Sequence, residues 1–147
     1  MTQVVRMMVA PAMVRQGDVL VVPLLVPLDE SDLGELLESS KNKRVVLAHG
    51  EVTGHAHAFY AEDLPLPVPK VDPVRLFALK GDAAFKYGPL DKALDTAAEV
   101  ARTARVLRLG ARALLKHEEH SPISFPAGDY LVLKQHESDD FVRAVAD

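Results

Sequence analysis

The residues of this chain best suited to chemistry are its six histidines, and they are not evenly spread. His49, His55 and His57 fall within Ala48-His49-Gly50-Glu51-Val52-Thr53-Gly54-His55-Ala56-His57. His117 and His120 bracket Glu118 and Glu119, and His136 stands apart near the end. In an extended segment side chains alternate between faces, so His55, His57 and Phe59 would share one face. Two imidazoles so placed can reach one metal ion without distorting the backbone. Glu62, five residues after His57, could add a carboxylate, and Gly50 and Gly54 would let the chain turn tightly around the site.

His117 continues the inward set that ends at Leu115, so it is expected to face the interior, where an imidazole needs a partner. His120 is expected in the turn before Pro122, and His136 is read as a bystander beyond the last strand. Imidazoles with a nearby carboxylate suit a divalent ion such as zinc, iron or manganese, and nickel or copper equally; spacing does not choose among them. The candidate ligands are His55, His57, His117, His49, His120 and Glu62. Glu51 and Glu119, with Glu118 beside it, are candidates for a general base or for orienting an imidazole. Two metal-free readings stand beside this one: acid–base or anion-binding imidazoles, and structural hydrogen bonding.

The elements that must carry these residues read mainly as strands. Val19-Leu20-Val21-Val22-Pro23 is a short β-branched run closed by a proline, which has no N–H to give a ladder. Val45–Ala48, Val74–Leu79 and Tyr130–Leu133 read likewise, and from Leu107 to Leu115 apolar residues recur with period two, as in a half-buried strand pair with Gly110 as a candidate bulge or bend. Leu33, Leu36 and Leu37 at helical spacing predict a short helix over 31–40, and Pro89 to Thr103 is the strongest helix candidate. Four prolines between Leu64 and Val74 exclude a helix there. These features predict one β-rich domain over 1–147, a small β-barrel or jelly-roll-like fold with one or two short helices, with a helical insertion at about 89–103.

Composition narrows the function classes. A chain of 147 residues, 48% hydrophobic, can bury one packed core. With a net charge of −4 and its basic residues scattered, it lacks the footprint of a nucleic-acid binder. There are no cysteines, which excludes disulfides and thiolate metal sites. The apolar stretch Val4–Ala12 is too short to span a membrane and is broken by Arg6 and Pro11. A cytoplasmic protein is the default expectation. The apolar N-terminus and the run from Val19 to Leu28 suggest interface, so a homo-oligomer is expected, with a small molecule as a further candidate partner.

Two resemblances follow from the motifs. Gly54-His55-Ala56-His57, then four residues, then Glu62 resembles the first motif of the cupin superfamily, and Pro126-Ala127-Gly128 resembles the turn of its second motif. The resemblance implies a jelly roll with a metal held by the two histidines and the glutamate. Leu131 stands where the second cupin motif has a histidine, and His49 where the first has a glycine. A metal site here would therefore borrow His117 or His120. The chain also resembles a group of small bacterial β-domain proteins with no assigned activity. Their shared features appear here as Arg15-Gln16-Gly17-Asp18-Val19-Leu20, the segment from His49 to His57, and His117-Glu118-Glu119-His120 leading to Pro126-Ala127-Gly128-Asp129-Tyr130. That resemblance covers the first half and the last third, and implies that the two histidine segments belong together. The readings left open are a metal-dependent enzyme acting on a small molecule, a non-catalytic module of a symmetric oligomer, and metal-free acid–base chemistry on a phosphodiester.

Overall fold

The computed structural model describes residues 14–16, 19–42, 44–49, 56–64, 73–93, 95, 97–117 and 120–134, with backbone only at 15, 42 and 49. Ten strands are divided between two antiparallel sheets. The larger sheet runs β1 (Val14–Gln16), β2 (Val19–Pro23), β10 (Gly128–Lys134), β7 (Arg105–Leu109), β6 (Val74–Leu79) and β3 (Leu33–Ser39). The smaller runs β4 (Arg44–His49), β5 (Ala56–Tyr60), β8 (Ala113–His117) and β9 (His120–Phe125). Two short helices, α1 (Ala84–Tyr87) and α2 (Ala97–Thr103), and three 3-10 turns, Glu30–Asp32, Ser40–Asn42 and Ala61–Asp63, complete the described elements. The mainly β class expected from the sequence is what the structure shows. Among the described residues the two sheets share no ladder that would close a barrel.

Alternation along the strands explains the packing. Val19 and Val21, Leu107 and Leu109, and Tyr130 and Val132 point from the larger sheet toward Val45, Phe59, Ala113, Leu115 and Phe125 of the smaller one, forming the core between them. Phe125 meets Tyr130 and Phe59 edge-on, with centroids 5.4 and 6.1 Å apart, the orientation favoured by ring quadrupoles. The alternate residues Leu20, Val22, Leu131 and Leu133 face outward and are covered by Ala84 of α1, by Val100 and Ala101 of α2 and by Ala104 just after it. Coverage on both faces is why β2 and β10 read as unbroken apolar runs. Helix α1 sits so close to the sheet that a Cβ at Gly88 would lie 2.3 Å from the buried Leu131 Cδ2.

Two sequence expectations are corrected. The 31–40 segment is not a helix: it is a 3-10 turn, Glu30–Asp32, followed by strand β3. Asp29 caps that single turn by accepting from Ser31 N at 3.0 Å. Beyond it β3 pairs with β6, where Gly34 permits an approach that leaves an added Cβ only 3.1 Å from Ala78 Cβ. An available sheet edge outweighs leucine spacing. The 89–103 helix shrinks to Ala97–Thr103, because Asp91 turns the chain by accepting from Ala93 N (2.9 Å), a local alternative to helical bonding. The period-two run from Leu107 is a strand pair that bends at Gly110, as its sequence suggests; the Gly110 N–H bonds Pro73 O (2.8 Å), and β7 and β8 enter different sheets. No helix among the described residues is long and apolar enough to cross a membrane.

Candidate functional site

Strand register assembles the site. On the inner face of the smaller sheet, Phe59 of β5 pairs with Leu115 of β8, so two residues further along β5 the chain brings His57 beside His117. Across the next ladder His117 pairs with His120 of β9, after a register shift that follows Leu115. His120 therefore opens a strand, not a turn as the sequence suggested, and its partner is the other end of the His-Glu-Glu-His motif. On the far side of β5, His57 pairs with Ala48 of β4. Three neighbouring strands thus place three imidazoles in one row at one end of the sandwich.

The rings are in contact. The His57 and His117 centroids lie 4.1 Å apart with planes 23° from parallel. His117 to His120 is 4.8 Å at 42°, and His57 to His120 is 5.9 Å at 20°. His57 is 2% exposed and His117 is 9%, whereas His120 is exposed at the rim. The row therefore runs from a buried imidazole to a solvent-facing one.

Gln16, brought over from β1 of the opposite sheet, fixes the buried end. Its side-chain nitrogen donates to the carbonyls of Leu115 (3.2 Å) and Ser121 (3.1 Å), which only an NH₂ group can do. Its oxygen is then necessarily the atom that meets His57 Nδ1 at 2.9 Å, so Nδ1 carries the proton and donates. In its neutral form the ring then bears its lone pair on Nε2. An acceptor on one ring nitrogen that sets the tautomer and aims the other is the arrangement found behind metal-bound histidines. As the rings stand they are stacked, and among the described residues no group of three or more His, Cys, Asp or Glu converges to hold a metal ion.

Of the residues singled out from sequence, the structure brings together His57, His117 and His120. Glu62 lies in the 3-10 turn after β5, exposed, and with Tyr60, Lys116, His117 and Pro122 lines a hollow of about 250 Å³. Lys116 in that hollow pairs with Asp63 at 3.0 Å, and this hydrogen-bonded carboxylate raises the lysine pKa. His49 closes β4, its backbone paired with Ala56, but its side chain lies outside the described residues. His55, Glu51, Glu118, Glu119 and His136 lie outside them as well. Gln16 was not among the sequence candidates. Its signal was a polar residue sharing the inward parity of Val14.

With the geometry in hand, one family model matches. It is described as a domain of unknown function (DUF8820), and it aligns with residues 15–86. The matched stretch takes in Gln16, His57 and Glu62 and stops short of His117 and His120. It thus spans both partners of the cross-sheet hydrogen bond. No curated protein and no solved structure matches the chain.

Proposed function

We propose that the histidine row is a binding site for a divalent transition-metal ion, held by His57 and His117 with His120 at the open end. The observation that carries this reading is the Gln16–His57 hydrogen bond, 2.9 Å long and buried, which commits one nitrogen of a core imidazole and directs the other. A tautomer set in this way costs a second polar side chain in the core, and it fixes which ring nitrogen carries the lone pair that an ion would need. Holding an ion would require the His117 and His120 rings to turn out of the stack while Gln16 keeps His57 in place. His49, His55, Glu51, Glu118 and Glu119 flank the row in sequence and are the candidates to complete the shell. A bound ion would supply Lewis acidity or charge at the rim beside His120, where a small molecule has access. The cupin-like jelly roll is the architecture this reading favours, and catalysis is a further step that it permits.

The test is a zinc titration of metal-free, untagged full-length protein against a chromophoric chelator. One zinc per chain is expected, with affinity reduced more than about 100-fold in His57→Ala and His117→Ala, beyond what loss of an outer partner alone costs. Wild-type protein that fails to take up zinc, or variants that bind it unchanged, would overturn the reading.

A second reading, a non-catalytic module of a symmetric homo-oligomer, is favoured by strand β3. Among the described residues it forms one edge of the larger sheet, and it exposes Leu36 (49%) and Leu37 (42%). Pairing with the same edge of a second copy would satisfy it. A monomeric mass in light scattering would dismiss this alternative.

A further inference from the structure

Beside the histidine row lies a second polar feature that the metal reading does not use. A hollow of about 480 Å³ opens among β4, the last turn of α2, the start of β7 and the end of β10. Its volume falls within the range of small-molecule cavities, roughly 300–1,000 Å³. Leu47, Ala48 and Val100 form its apolar wall, and Arg105 and Lys134 bring positive charge. Ala48 is the cross-strand partner of His57, so the hollow borders the histidine row.

Arg105 shares the parity of Leu107 and Leu109, which face the core, and so projects between the sheets. One of its terminal nitrogens donates to the Leu47 carbonyl at 2.6 Å. Among the described residues no carboxylate forms an ion pair with it. Glu38, whose charge acts on Arg105 from further off, already accepts from Val46 N at 2.9 Å. Burial pushes the Arg105 pKa below its ordinary value, and the more distant Glu38 charge only partly opposes this. A guanidinium has five N–H donors, and the planar fork matches a carboxylate. Thr103 is already committed, its hydroxyl donating to the Val100 and Glu99 carbonyls. Glu99, exposed at the rim, sets a limit: a second negative charge on a ligand would face it.

We infer that this hollow binds a small organic monocarboxylate, its carboxylate held by Arg105 with help from Lys134 and its short apolar body against Leu47, Ala48 and Val100. The inference stands on Arg105 and the hollow and does not require a metal.

The test uses the full chain treated with chelator, so that failure of the metal reading cannot be mistaken for failure of this one. Butyrate, n-butanol and inorganic phosphate are titrated by calorimetry. Butyrate should bind, butanol should not, and phosphate should bind more weakly than butyrate. Arg105→Gln should weaken butyrate at least about tenfold, the loss of one charge-assisted contact. Lys134→Glu, at an exposed position where folding is not at issue, should weaken it several-fold. Absence of butyrate binding, unchanged affinity in either variant, or phosphate binding as tightly as butyrate would each overturn the proposal.

Discussion

The polar groups of this domain are arranged in two opposite ways. Over the outer face of the larger sheet, charges are neutralised in contact. Arg108 bonds both Glu30 (2.7 and 3.2 Å) and Asp129 (2.9 and 3.2 Å), and Lys86 and the buried Tyr87 both donate to Asp32. Each cation there raises the acidity of its partner: hydrogen bonds from Arg108 hold Glu30 below the usual carboxylate range, and those from Tyr87 and Lys86 do the same for Asp32. At the open end between the sheets, two contacts among the described residues are made to neutral groups instead. His57 meets an amide and Arg105 a backbone carbonyl. The first pattern is that of a network complete in itself, which locks the turn before β3 onto α1. The second places an oriented imidazole and a buried guanidinium close to a rim, which is the arrangement that the two proposed sites would need.

Breaking the second pattern should produce the largest effect. Gln16→Leu removes the acceptor of the His57 proton and both donors to the Leu115 and Ser121 carbonyls. Unsatisfied buried groups cost about 1–3 kcal/mol each, so the denaturation midpoint should fall clearly. Zinc affinity should drop about 10–100-fold through loss of the oriented tautomer, and Gln16→Glu should restore part of the affinity, because a carboxylate still accepts from Nδ1. If Gln16→Leu lost stability yet bound zinc as the parent does, Gln16 would be a structural residue only.

The contrast was only partly legible in the sequence. Parity placed His117 inward and His57 on the face of Phe59, because alternation survives wherever a strand has one core face, and the register then supplied the row. Gln16 and Arg105 were missed for the same reason in reverse. Each is a polar residue on an inward set, and its partner lies on the opposite sheet, at a separation of 41 residues for Gln16–His57 and 58 for Arg105–Leu47. No local pattern encodes such a pairing. The helix expected at 31–40 failed because leucine spacing is shared by an irregular edge strand, and only the neighbouring β6 decides between them. The long helix from Pro89 failed because one aspartate side chain, Asp91, diverts the backbone before the period can establish itself.

The self-contained network should yield a smaller and purely structural effect. In Tyr87→Phe the Asp29 N–H loses the hydroxyl that accepts it at 2.9 Å, and Asp32 loses a donor while keeping Lys86 at 3.1 Å. A loss of about 1–2 kcal/mol in chemical denaturation is expected, since one hydrogen-bonded pair is left half satisfied. Zinc and butyrate affinities should be unchanged. A change in either would mean that the two regions are coupled through the larger sheet, and the distinction drawn between them would fail.

The smallest effect is carried by pH, and its direction separates the regions without mutation. Asp29, Glu30 and Asp32 are each held below their ordinary values, by Ser31, Arg108 and Tyr87 respectively. A depressed folded pKa adds stability above the unfolded value, here 3.8 for aspartate and 4.5 for glutamate, and that stability is lost as the pH falls through the depressed folded values. The denaturation midpoint should therefore be flat on this account near neutrality and decline in acid. Asp29 and Glu30 are exposed and Asp32 is half-buried, so the decline should be shallow and weaker still in high salt. Asp32→Asn should flatten part of it. A ligating imidazole must be neutral, so as acid is added zinc should leave before this decline begins. Coincident loss of zinc and of stability would show instead that the histidine row and the carboxylate network titrate as one unit, and the division between a complete network and an open site would not hold.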